Sequence, residues 1–152
     1  MIVWLIGSVV FSSCGAGEQS ALPAAAPAVD EQLEVVVPAI VDALQSKQAE
    51  FVMSHVGSSF AEERGLDYFD VRSLVESYTL RDESLGARLE SVALTPLSAD
   101  TQRVEARVTF TRGQQLAEGV APPAGAVTYA FDLVFAKRAG VWQARSGSYR
   151  RE

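Results

Sequence analysis

The 152 residues hold one cysteine and one histidine, and no lysine or arginine precedes Lys47. With Cys14 alone, an intramolecular disulfide and any zinc site built on paired cysteines are excluded. With His55 alone, the multi-histidine metal sites go as well. A carboxylate-only magnesium or calcium site needs a loop such as D-x-D-x-D-G, which does not occur, so no metal is expected. Gly113, Gly119 and Gly125 lie too far apart to cradle a phosphate, and no G-x-S-x-G elbow exists, so neither a nucleotide or other cofactor nor a serine triad is indicated. Positive charge is scarce: the formal net charge is −6. The only basic cluster is Arg145, Arg150 and Arg151, with Glu152 beside it. It reads as a solvated strand end, so nucleic acid is not an expected partner. What remains is a composition apolar enough to fold, over a length that fits one domain plus a short extension.

The extension is N-terminal. Ile2 to Phe11 is a nearly unbroken apolar run, too short to cross a bilayer as a helix, which takes ~20 residues, and matching a signal-peptide core of ~7–15 residues. Phe11-Ser12-Ser13-Cys14 resembles the bacterial lipobox, where an aliphatic residue and two small ones precede the cysteine that becomes lipidated and N-terminal. Phe11 departs from the usual leucine, and no basic residue precedes the run, which fits a start upstream of Met1. The resemblance implies a signal peptide over 1–14, lipidation of Cys14 and membrane attachment through the lipid. Gly15 is not the Asp that resembles an inner-membrane retention signal, so the outer membrane is favoured where one exists. Plain secretion to the periplasm or beyond is the alternative. Residues 15–29, GAGEQSALPAAAPAV, lack large side chains that could offset backbone ordering and read as a flexible tether.

Residues 30–152 read as the folded domain. After Asp30 as N-cap, Leu33, Val36, Val37, Ile40, Val41 and Leu44 form one helical stripe, with a kink or break expected at Pro38. A second helix is expected over Ala49 to Val56, with Phe51, Val52, Met53 and Val56 as its apolar side, ended by Gly57-Ser58-Ser59. A third is expected from Asp70, turning Val71, Leu74, Val75 and Tyr78 inward. From Ala87 the period becomes two. Strands are expected at Leu89–Leu97, Arg103–Phe110, Val127–Ala136 and Val141–Tyr149, and Gly113–Gly125 as a loop. Helices followed by an antiparallel meander give an α+β class.

This order, with the Gly65-Leu66-Asp67 turn and the closing Gly140-Val141-Trp142-Gln143-Ala144 hairpin, resembles the NTF2-like (cystatin-like α+β, SnoaL-type) superfamily over about residues 30–150. The resemblance implies N-terminal helices packed on a curved antiparallel sheet, forming a cone whose open end holds a ligand or a reaction. Tyr129, Phe131 and Trp142 are the candidate pocket residues. For chemistry, Asp132, Asp67 and His55 are the candidates, because the superfamily's isomerase- and dehydratase-like enzymes resemble a pocket carboxylate working with Tyr or His. Each has a plainer role: Asp132 as a solvent-facing strand residue, Asp67 in a turn, His55 near a helix end. Spacing alone makes no catalytic pair, so a non-catalytic domain binding a small apolar ligand or a protein partner is expected. Ala130, Val134 and Ala136 form an apolar seam on the strand's other side that suits a homodimer.

Overall fold

The computed structural model describes residues 31–81 and 84–152. The expected leader, Cys14, the tether and the Asp30 cap lie outside the described residues.

The first helix, α1 (Glu31–Gln45), follows the stripe: Leu33, Val37 and Val41 are buried, while Val35 on the far side is exposed. It runs through Pro38 without a break. Proline there removes one helical hydrogen bond at a cost of about 3 kcal/mol. The apolar side chains on both sides of it pack into the same core, which holds the helix together across it. The second helix is shorter than expected. α2 (Ala49–Ser54) ends at His55, buries only Val52 and Met53, and leaves Phe51 exposed.

Gly57-Ser58-Ser59 does not stop a helix but begins a strand, β1 (Val56–Glu62). Gly57 is buried against β5, where a Cβ would stand 3.1 Å from the Ala144 carbonyl oxygen. α3 (Tyr68–Thr79) is capped by Asp67 rather than Asp70. Asp67 accepts from the backbone of Phe69 and Asp70, and the Asp70 carboxylate returns a bond to the Asp67 N–H, a reciprocal capping box. Its inner side carries Val75 and Thr79, whereas Leu74 and Tyr78, expected inward, are exposed.

The strands β2 (Leu85–Ser98), β3 (Thr101–Arg112), β4 (Val127–Arg138) and β5 (Val141–Arg151) form an antiparallel meander. β1 joins it parallel to β5, giving the order β1-β5-β4-β3-β2. Ala139 and Gly140, both at positive φ, make the two-residue turn between β4 and β5 that suits strand twist. The fold is α+β, with the helices on one face of a curved five-stranded sheet. Leu33 and Val37 pack on Val104, Phe135 and Trp142, and Val41 packs further along, on Ala87 and Val108. No helix among the described residues is long and apolar enough to cross a membrane.

Candidate functional site

The register orders the helix-facing side of the sheet into rows. At one end stands Gln102–Phe135–Ala144, with Trp142 beyond it. Next come Val104–Leu133–Gly147, then Ala106–Phe131–Tyr149, then Val108–Tyr129–Arg151, and last Phe110–Val127. The first rows lie in the core under α1. In the last rows Phe110, Tyr129, Phe131 and Tyr149 are half-buried beside the buried Ala106 and Val108, and their rings meet there; Phe110 and Phe131 also pack on the cluster of Val41, Ala87 and Val108. Ring centroids are 6.0 Å apart for Phe110–Tyr129, 6.1 Å for Tyr129–Tyr149 and Phe131–Tyr149, and 6.3 Å for Tyr129–Phe131. Edge-on and tilted contacts of this kind are favourable for aromatic quadrupoles. The result is an apolar platform with polar hydroxyls from two tyrosines, at the end of the sheet away from Trp142.

A buried acid stands beside this platform. Glu62 shares the inward side of β1 with Phe60 and is the only charged residue that is buried among those described. Both of its oxygens are engaged by Arg64: Oε2 accepts from the backbone N–H at 2.7 Å and Oε1 from Nε at 3.3 Å. A tight turn sets this up. Gly65, at φ +102°, donates to the Glu62 carbonyl, and Glu62 N–H bonds Leu66. The turn folds Arg64 back so that its guanidinium lies 4.6 Å over the Tyr149 ring and donates to the Tyr149 carbonyl. Sequence reading missed Glu62 and Arg64, and showed Tyr149 only as one aromatic among several on the sheet. The only signal was the spacing Phe60-x-Glu62-x-Arg64 before a glycine, which has meaning only if residues 56–62 are a strand.

The residues singled out from sequence are dispersed. Asp132 lies on the convex face, opposite to the helices. Arg103 grips it with two bonds, Nε to Oδ1 at 2.8 Å and Nη2 to Oδ2 at 2.5 Å. The bonds from Arg103 hold its carboxyl below the usual aspartate range, against a smaller opposing effect of burial. Asp67 is committed to the cap of α3. His55 is half-buried at the end of α2 and donates from Nδ1 to the Trp142 carbonyl at 2.8 Å, its ring edge-on to Phe51. Trp142 itself is a core residue, 1% exposed and packed with Leu33 and Phe60. Tyr129 and Phe131 belong to the aromatic platform, which draws in Phe110 and Tyr149 beside them.

Two depressions lie elsewhere. A wide groove of about 600 Å³ runs between β2 and the loop before β4, bounded by Leu89, Glu90, Glu118, Val120 and Pro122. Its floor is fixed by Arg88, which donates to the carbonyls of Ala117 and Val120 and pairs with Glu90. Burial pushes Glu90 up, but the hydrogen bonds from Arg88 and Thr109 outweigh it and leave the carboxyl below its usual range. The other is a small hollow on the convex face near Gly57 and Arg145. No group of three or more His, Cys, Asp or Glu side chains suited to a metal occurs among the described residues.

No protein-family model matches the sequence, and no curated protein matches it. Solved structures do match. A protein of Novosphingobium aromaticivorans provisionally assigned as a scytalone dehydratase superposes with a TM-score of 0.66 at 11% identity, over 80% of this chain and 83% of that one. An NTF2-like protein of Cytophaga hutchinsonii gives 0.60 at 13% identity, over 80% of this chain and 97% of that one. A domain of Xanthomonas campestris, provisionally assigned as a calcium/calmodulin dependent protein kinase II association domain, gives 0.61 at 15% identity, over 88% and 93%. At such identities the likeness is one of fold.

Proposed function

We propose, starting from the NTF2-like fold that this chain has, that it is a cell-envelope lipoprotein held by a lipid on Cys14, whose domain binds an apolar ligand, or an apolar segment of a partner protein, without catalysis. The observation that carries the binding role is the half-buried aromatic platform of Phe110, Tyr129, Phe131 and Tyr149 on the helix-facing side of the sheet. Sites of this kind are largely apolar with a few polar groups, which the tyrosine hydroxyls and Arg64 supply. The case against catalysis is chemical. A general base needs an oxygen aimed at the proton it removes. Asp132 and Asp67 are spent on Arg103 and on a helix cap, and Glu62, the one buried carboxylate among the described residues, accepts from Arg64 on both oxygens.

Titration of the full chain with the neutral apolar probe N-phenyl-1-naphthylamine tests the binding role. Saturable enhancement of fluorescence is expected. The Phe131→Ala/Tyr149→Ala double variant should bind about tenfold more weakly, as truncation of aromatic anchors commonly does. No saturation, or equal affinity in the variant, contradicts the proposal. The anchor is tested separately by palmitate labelling in a bacterial host: label on the wild type and none on Cys14→Ser is expected, and label retained in that variant contradicts it.

A second reading has its own support. Ala130, Val134 and Ala136 leave an apolar, half-exposed seam along the convex face of β4, and one structural relative is provisionally assigned as an association domain. On this reading the chain self-associates through that face. Val134→Glu should then lower the mass seen by sedimentation, and a wild type that is monomeric at high concentration contradicts it.

A further inference from the structure

We propose that the ligand of the aromatic platform is a cation: an apolar guanidine or amine that takes the place now held by the Arg64 guanidinium, against the buried Glu62 and over the Tyr149 ring. The inference rests on the binding role proposed for the platform and adds the charge and the donors of what binds there.

The chain itself supplies a cation to this place, so its size and its contacts are defined. The Arg64 guanidinium stands 4.6 Å from the Tyr149 ring centroid. From there Nε donates to Glu62 Oε1 at 3.3 Å, and Nη2 donates to the Tyr149 carbonyl. Tyr149 in turn meets Tyr129 and Phe131, so the place continues into the rest of the platform. Ring faces and carboxylates both attract cations. Two other cations stand over rings, Arg81 over Tyr78 and Lys137 over Trp142. Glu62 is the only buried charged residue among those described, and it is paired with Arg64, so of the three only the Arg64 place has a buried acid.

The two partners are held with unequal firmness. The Glu62 side chain is 3% exposed, and its Oε2 keeps a 2.7 Å bond from the Arg64 backbone N–H that does not depend on the Arg64 side chain. The Arg64 side chain is 62% exposed and its Nε bond is long. Ion pairs with an exposed partner are weak, and a long side chain gains entropy on release. Outside, the guanidinium finds water. Inside, Glu62 Oε1 is left buried without a donor, which is costly. A ligand is therefore favoured if it returns an N–H to Oε1 and to the Tyr149 carbonyl and sets positive charge over the ring. A guanidinium or ammonium on an apolar group does all of this. A quaternary ammonium lacks the donors, a neutral amide lacks the charge, and an anion meets the Glu62 carboxylate. The formal net charge of −6 also draws a cation towards the chain.

Calorimetric titration of the full chain carrying Cys14→Ser compares phenethylguanidine with phenethylurea, its uncharged planar isostere, and with 3-phenylpropionate. The guanidine should bind about tenfold more tightly than the urea, and the Arg64 Nε–H signal in NMR should move as that side chain is displaced. Arg64→Ala removes the internal competitor. For a guanidinium docked about nine-tenths of the time, the variant binds the guanidine about tenfold more tightly than the wild type does. Glu62→Gln should bind it about tenfold more weakly. Equal affinity for guanidine and urea, tighter binding of the propionate, or no gain in a folded Arg64→Ala overturns the proposal, and the wild-type contrast decides it even where a variant fails to fold. Such a failure beside saturable binding of N-phenyl-1-naphthylamine leaves the platform a neutral apolar site, whereas failure of that probe as well removes the binding role too. Acetyl-Phe-Arg-amide separates the sources of the group: tighter binding than phenethylguanidine assigns the place to an arginine of a peptide, and weaker binding assigns it to a small molecule.

Discussion

Gly147 sits in the row between the packed core and the aromatic platform, and its replacement by alanine has a calculable consequence. A Cβ at that position would lie 2.4 Å from Leu133 Cδ2, 2.7 Å from the Asp132 carbonyl oxygen and 3.2 Å from Leu133 Cα. The first contact ends on a flexible methyl that can rotate away. The other two are backbone, and they are relieved only if β5 moves off β4. Overpacking of this kind costs about 2–3 kcal/mol. For a domain of this size that lowers Tm by roughly 10 °C. Tyr149 lies two residues on, so the same shift should also weaken binding of the apolar probe. Urea unfolding followed by far-UV circular dichroism measures the loss. Gly65→Ala is the comparison: its Cβ meets nothing within 4 Å, but φ is +102°, so only backbone strain of about 1 kcal/mol is expected. Equal stabilities for Gly147→Ala and wild type would refute the close packing of β4 and β5 at this row.

Three further outcomes follow from particular contacts. Gln45 Oε1 accepts from both Ala87 N–H and Leu116 N–H. Gln45→Ala should cost about 1–3 kcal/mol by leaving them unpaired, with faster hydrogen exchange at Leu116 as the local signature. Asp67→Ala removes the capping box of α3 and should cost about 1 kcal/mol in urea unfolding, with Asp67→Asn retaining most of it. The carboxyl of Asp132 is held down by Arg103, so its contribution to stability is present above the usual aspartate range and is lost as pH falls through its lowered folded value. The effect is small because the pair is substantially exposed. Arg103→Gln should therefore narrow the stability gap between neutral and strongly acid solution, and an unchanged acid limb contradicts the pairing.

Much of the fold was legible because its signals are local. Leu33, Val37 and Val41 mark one helix face, and the alternation of Val104, Ala106 and Val108 with Arg103, Glu105 and Arg107 marks a half-exposed strand. β1 was not legible. Its buried positions, Gly57, Phe60 and Glu62, do not alternate from the start, because its register against β5 slips between Val56 and Ala61. Gly57-Ser58-Ser59 therefore carried the same signal as a helix stop. The choice between Asp67 and Asp70 as cap was equally beyond composition, since both are good caps and only the backbone angles separate them. The aromatic platform was half legible. Tyr129 and Phe131 alternate on one strand, but their meeting with Phe110 and Tyr149 depends on the β3–β4–β5 register. The pairing of Glu62 with Arg64 depends on a turn that made sense only once the strand before it was known.

Site-specific photocrosslinking in living cells tests the binding role most directly. p-Benzoylphenylalanine placed at Tyr129, on the platform, should capture a lipid-like molecule or a peptide segment, whereas the same probe at Glu105, on the convex face, should not capture that species. Capture from Glu105 with none from Tyr129 would contradict it.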